Sequence, residues 1–99
     1  VNFVPGATEN VRVYNKTSNS YWLGWDSAEN ADGYVVYRSE GNTNNFEKIE
    51  TVTEGRTSFA DYDIEHGKTY YYYVRSYHGV NGFYYYGKSS DTLKVKITL

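Results

Sequence analysis

Cysteine is absent from the 99-residue chain. Disulfide staples and thiolate metal sites are therefore excluded, and stability has to come from packing. The length suits one compact domain with a real core and a stability of only several kcal/mol. Proline occurs once, at Pro5, and no apolar run is long. None reaches the roughly 20 residues that span a bilayer as a helix. Positive charge is not in excess either. Ten Lys and Arg stand against 12 Asp and Glu, for a net charge of −2. The basic stripe that marks a nucleic-acid binder is missing, and Lys94 and Lys96 form only a local pair. The opening residues lack a charged stretch followed by an apolar one, so no secretory signal is read there. The chain reads as a module of a longer protein.

Tyrosine fills the gap that the sparse aliphatics leave. Hydrophobic residues make up 39% of the chain and aromatics alone 19%, with 13 Tyr and two Trp. Tyrosine has to serve both core and surface, because its ring packs while its hydroxyl needs water or a partner. The longest strand-favouring run is 69–77 (Thr-Tyr-Tyr-Tyr-Tyr-Val-Arg-Ser-Tyr). Side chains alternate faces along a strand. Tyr70, Tyr72, Val74 and Ser76 share one face, which ends in an aliphatic and a small residue and is assigned to the core. Tyr71, Tyr73, Arg75 and Tyr77 share the face with the charge and are assigned outward.

The remaining strands are short and bounded by polar turns. They are expected at 9–14, at 20–25 with Tyr21, Leu23 and Trp25 on one face, and at 34–39 with Tyr34 and Val36 together. A weaker one covers 46–52, where Phe46, Ile49 and Val52 do not alternate cleanly, and a short one covers 57–61. A helix over 46–52 would be marginal at seven residues. Asn81-Gly82 is a strong hairpin signal. As a two-residue turn it sets Val80 against Phe83, Tyr77 against Tyr86 and Val74 against Ser89, with Leu93, Val95 and Ile97 inward. That register also sets Arg75 against Lys88, a mildly unfavourable pair that a bulge or longer loop near Gly87 would remove. Seven strands and no convincing helix argue for a β-sandwich.

Three motifs give this pattern a family likeness. Leu23-Gly24-Trp25 ends a second strand in a tryptophan. Gly33-Tyr34-Val35-Val36-Tyr37-Arg38 forms the third. Ile64-Glu65-His66-Gly67-Lys68-Thr69-Tyr70 forms a tyrosine corner, with His66 where proline is usual. From about Pro5 to Leu99 the chain resembles the fibronectin type III family. The resemblance implies an all-β, seven-stranded antiparallel immunoglobulin-like sandwich over residues 8–99, with 1–7 a linker or N-terminal extension. It implies Trp25, Tyr34, Tyr72 and Val74 between the sheets, and a Tyr70 hydroxyl that satisfies a backbone group of the preceding loop. Tyr37-Arg38-Ser39 followed by Phe46-Glu47-Lys48-Ile49, and Ser58-Phe59-Ala60-Asp61, are similar to the variant found in secreted and surface-attached bacterial proteins, including carbohydrate-active enzymes. The resemblance then implies an extracellular, non-catalytic accessory module that spaces or docks its neighbours. No Arg-Gly-Asp follows the Tyr70 strand, so integrin binding by that route is not implied.

The candidate binding residues are Tyr37, Tyr71, Tyr73, Tyr77, Tyr84 and Tyr86, all expected on the outer face of one sheet. Such a face can stack on sugar rings or bury against another protein. Its ordinary use is cross-strand pairing, at about 0.2–1 kcal/mol per pair. Trp22 is expected outward on the other sheet, against the segment near Phe3. Asp61, Asp63 and Glu65 alternate in a way that invites calcium. An EF-hand loop needs glycine sixth and glutamate twelfth, whereas counting from Asp61 gives His66 and Tyr72, so turn capping is expected there. His66 and His78 read as solvated loop histidines with no triad partners. Asn15-Lys16-Thr17 matches the N-glycosylation pattern in an expected loop. No catalytic residue, metal or cofactor is expected. The expected partners are neighbouring domains or another protein, with glycans as the rival, and neither nucleic acid nor membrane insertion. The isolated domain is expected to be a monomer.

Overall fold

A computed structural model describes residues 3–98. Val1 and Asn2 of the expected linker, and Leu99, lie outside the described residues. The described chain forms eight strands: β1 (Arg12–Lys16), β2 (Tyr21–Gly24), β3 (Gly33–Glu40), β4 (Glu47–Val52), β5 (Ser58–Asp61), β6 (Thr69–Val80), β7 (Phe83–Tyr86) and β8 (Leu93–Lys96). They make an antiparallel sandwich of a three-stranded sheet, β1-β2-β5, and a five-stranded sheet, β4-β3-β6-β7 with β8 also on β6. No described helix is long and apolar enough to cross a membrane. The all-β immunoglobulin-like sandwich is therefore as expected, with eight strands in place of seven because the last arm is divided.

The division has a clear cause. Val80 faces Phe83 and Tyr77 faces Tyr86, as the Asn81-Gly82 turn demands. Asn81 and Gly82 both take the positive φ such a turn needs, 52° and 83°. The arm then leaves the ladder after Gly87, and β8 returns with Tyr72 opposite Leu93 and Tyr70 opposite Val95. Val74 consequently meets Ser90, not Ser89. Its N–H donates to Ser90 Oγ at 3.0 Å and its carbonyl accepts from Ser90 N–H at 2.8 Å. The same detour removes the Arg75–Lys88 opposition, since Arg75 Nε donates to the Gly87 carbonyl at 2.7 Å instead. The register moves by two residues, an even number, so the faces keep their sense and Val95 and Ile97 are still buried.

Two β-bulges interrupt the ladders, one in β1 and one in β4, and the second accounts for the unclean alternation of 46–52. Val13 faces Leu23 and Asn15 faces Trp22, which leaves Tyr14 as the extra residue. Val36 faces Glu50 and Tyr37 faces Lys48, which leaves Ile49 extra and turns it toward the core.

The core holds Tyr21, Leu23, Trp25, Tyr34, Val36, Val52, Tyr70, Tyr72, Val74, Val95 and Ile97, all buried. Trp25 packs edge-on against Tyr34 at 5.5 Å between ring centroids. A core with four tyrosines must satisfy four hydroxyls, and each has a partner. Tyr70 accepts from Glu65 N–H at 3.1 Å, the corner bond expected of it. Tyr34 accepts from Ala28 N–H at 2.7 Å, and Tyr21 from Thr98 N–H at 2.9 Å. Tyr72 donates to Asp61 at 2.6 Å. Ile64 packs on the core beside the corner, and Gly67 takes the left-handed conformation there with φ 88°.

The segment before β1 is bonded into the sandwich. Gly6 N–H donates to Glu29 O at 2.8 Å, and the Gly6 carbonyl accepts from Ser76 Oγ at 2.7 Å.

Candidate functional site

The outer face of the five-stranded sheet collects the candidate tyrosines. Tyr37 is directly opposite Tyr73, Tyr77 is opposite both Gly33 and Tyr86, and Tyr71 lies between Ser39 and Lys94. Tyr84 is two residues from Tyr86 and so shares its face. The six residues form two groups and one outlier.

The first group is packed. Tyr37 and Tyr73 stack at 4.6 Å with 15° between the rings, and Phe46 meets Tyr73 edge-on at 4.8 Å. All three are half-buried. Burial, then the neighbouring Tyr37, holds the Tyr73 hydroxyl above its usual range, against the opposing charge of Arg75. This group supports the sheet, as cross-strand aromatic pairs do.

The second group is open. Beyond Gly33 the β6–β7 hairpin continues without a third strand beside it. Tyr84 is 63% exposed, Tyr86 41% and Phe83, at the turn, 69%. Tyr77 and Tyr84 meet edge-to-face at 5.7 Å. The Arg75 guanidinium lies over the Tyr86 ring, 5.3 Å from its centroid, in a cation–π contact. Tyr77 leans across Gly33, where a Cβ would run into its hydroxyl and the Val52 carbonyl. Only glycine leaves room for that ring beside β3. Burial, then Tyr84, Asp32 and Tyr86, keep the Tyr77 hydroxyl protonated beyond its usual range. These rings and the side chains of Lys48, Thr51 and Thr53 line a shallow cleft of about 320 Å³. Tyr71 stands apart, with Lys94 opposite it.

Several other candidates sit differently from expectation. Trp22 packs against Tyr14 at 6.4 Å, while Phe3 packs on Tyr85 at 5.3 Å. The β1 bulge swings Tyr14 over Gly24 and so supplies the nearer ring. Asn15 is a strand residue of β1 opposite Trp22. His78 lies within β6, half-buried, with Nδ1 3.1 Å from Asp32 Oδ2. His66 is exposed in the corner turn, as expected.

Asp61 is the residue that sequence reasoning under-read. It does cap its turn, taking Asp63 N–H at 3.1 Å. It is also only 2% exposed and receives Arg38 Nη1 at 2.9 and 2.8 Å and the Tyr72 hydroxyl. That ties β5 of one sheet to β3 and β6 of the other. The missed signal was Arg38, which falls on the core-facing parity of β3 with Tyr34 and Val36 and so needed a buried acceptor. Among the described residues no group of three or more His, Asp or Glu is arranged to hold a metal.

No protein-family model matches the chain, and no curated protein does. Among solved structures, one described as a myokine structure superposes with a TM-score of 0.76. The match covers 96% of this chain and 99% of that one at 23% identity. The two share a β-sandwich fold of the immunoglobulin-like, fibronectin type III kind.

Proposed function

We propose that the chain is a non-catalytic binding module and that the outer face of its five-stranded sheet is the recognition surface. The observation that carries the reading is the open tyrosine group. Tyr84 and Tyr86 are solvent-exposed on a hairpin that projects past the rest of the sheet, beside a cleft that also displays Lys48, Thr51 and Thr53. Exposed aromatic patches of this kind mark interaction sites. Tyrosine offers large contact area at low entropic cost, with a hydroxyl for hydrogen bonding. The core does not need these rings, because its own tyrosines are fully partnered. The test is an NMR titration with a broad panel of neutral and anionic glycans, following the tyrosine ring signals, alongside a Tyr84→Ala/Tyr86→Ala variant. Ring shifts at Tyr77, Tyr84 and Tyr86 that vanish in a variant with unchanged melting temperature support the reading. Silence of those rings across the panel counts against it.

A second reading, a spacer that positions neighbouring modules, has its own support. The described chain enters beside Glu29 and Ser76 and leaves beside Tyr21 and Lys68, at opposite ends of a body 46 × 26 × 21 Å. Neighbours attached there would be held in line. An extracellular, surface-attached bacterial parent belongs to this same proposal. Its support is the likeness of the Tyr37-Arg38-Ser39 and Ser58–Asp61 segments to modules of that kind, and the parent's flanking sequence tests it.

A further inference from the structure

We infer that the partner of this face is an anionic polysaccharide, a chain bearing uronate or sulfate groups. The inference rests on the outer sheet face being the recognition surface. Its ground is a segregation of charge that the composition hides.

The chain as a whole is slightly acidic, with net charge −2. Pairing register nevertheless places Lys48 beside Tyr37, Arg75 beside Val35, Lys94 beside Tyr71 and Lys96 beside Thr69, all on the outer face. The carboxylates of the same strands take the opposite side. Glu40, Glu47 and Glu50 are paired with Tyr70, Arg38 and Val36, whose side chains point between the sheets. Among the described strand residues of this sheet, no Asp or Glu shares the tyrosine face. Asp32, in the loop before β3, brings one carboxylate beside Tyr77, but the four strand cations outnumber it, and a face of net positive charge creates a field that attracts anions.

The cations are also placed to make contacts. Arg75 is anchored by its Nε on Gly87 O and by the Tyr86 ring, which leaves its Nη groups to a ligand. A held guanidinium fork matches carboxylate and sulfate oxygens. Lys48 is exposed and lines the cleft with Thr51 and Thr53. The cleft, at about 320 Å³, lies at the small end of the ligand-pocket range of about 300–1,000 Å³.

A protein partner fits less well. Protein hot spots use Tyr and Arg too, but within patches that are depleted in Lys and become fully desolvated. The aliphatic of this face, Val35, is already sealed, and Phe46 is packed edge-on against Tyr73. Phe83 at the hairpin turn is open but has the parity of the opposite face, and the side chains left open beside the cleft end in a hydroxyl, an ammonium or a guanidinium. A hydroxyl-rich, negatively charged chain can pair with all three while laying its ring faces on the tyrosines.

The test uses four probes at low ionic strength: oligogalacturonate, its fully methyl-esterified form, sulfated dextran and poly-L-glutamate. At least one of the two anionic saccharides is expected to shift the rings of Tyr77, Tyr84 and Tyr86 and the amides of Thr51 and Thr53. Binding should weaken as salt rises. Lys48→Glu should lower affinity about tenfold, or about 1.4 kcal/mol. Lys16→Glu, the same charge change on the other sheet, should leave it unchanged. Equal binding of the methyl ester, or of poly-L-glutamate, overturns the anionic-polysaccharide inference and leaves the recognition surface standing. Ring shifts with neutral glycans but neither anionic saccharide do the same. No ring shift with any probe or any member of the wider panel removes both.

Discussion

Asp61→Ala should be the most damaging single change outside the apolar core. Asp61 is 2% exposed and accepts from Arg38 Nη1, the Tyr72 hydroxyl and Asp63 N–H. Losing the carboxylate leaves the Arg38 guanidinium, whose side chain is only 17% exposed, with the solvent-exposed Asp63 as its remaining partner, and strips a fully buried tyrosine hydroxyl of its acceptor. Breaking a buried ion pair from one side costs about 3–5 kcal/mol. Tyr72→Phe leaves the ion pair intact and removes one charge-assisted bond of 2.6 Å, at about 1.5–3 kcal/mol. For a domain of this size each kcal/mol lowers the melting temperature by about 4–8 °C, so both losses are measurable by urea and thermal unfolding monitored through tryptophan fluorescence. The two effects should not add. In the Asp61→Ala background Tyr72→Phe removes a hydroxyl that has already lost its acceptor, so its further cost should be close to zero. Replacing both charged partners, Arg38→Met with Asp61→Leu, should recover much of the single-mutant loss, because apolar pairs of similar volume often match buried ion pairs. An Asp61→Ala protein within about 1 kcal/mol of the parent, or strict additivity with Tyr72→Phe, would refute the idea of one shared network.

Trp25→Ala should cost about 3–5 kcal/mol, since Trp25 is 2% exposed and wedged against Tyr34; an unchanged melting temperature would overturn its core role. Stability should also fall above pH 10. Burial, then the hydrogen bond to and charge of Asp61, hold the Tyr72 hydroxyl far above its ordinary value of 10. The folded state thus keeps a proton that the unfolded chain releases, so this contribution is intact below pH 10 and fades by about 1.4 kcal/mol per pH unit above it. The alkaline limb should be shallower in Tyr72→Phe, and an identical slope would count against this account. Gly33→Ala should destabilise by about 1–3 kcal/mol and displace the Tyr77 ring from β3, visible as a change in its ring signals; an unshifted ring would mean that Gly33 is not what seats it.

Alternation along strands was readable because burial enforces it. Tyr70, Tyr72, Val74 and Ser76 are all buried, as their shared parity requires. The Asn81-Gly82 turn likewise fixed the local register of β6 and β7. Pairing between distant segments was not readable. The detour after Gly87 depends on Ser90 bonding both backbone groups of Val74, and no pattern of apolar residues announces that. Trp22 was placed near Phe3 for the same kind of reason. Its real neighbour, Tyr14, is brought over by a bulge, and a bulge leaves only a faint irregularity in the sequence.

The candidate face divides along the same line. Its aromatic half follows from parity, since Tyr71, Tyr73 and Tyr77 must oppose a buried set. Its cationic half depends on one extra residue in β4. Counting back from the buried Val52 by strict alternation would point Ile49 and Glu47 outward and Lys48 toward the core. The bulge at Ile49 reverses that order: Ile49 packs on the core, Lys48 comes up beside Tyr37, and Glu47 falls opposite the core-facing Arg38. A single inserted residue thus exchanges an acidic and aliphatic edge for a basic one. The sign of the charge that meets a ligand beside Tyr77, Tyr84 and Tyr86 is set by backbone geometry as much as by composition.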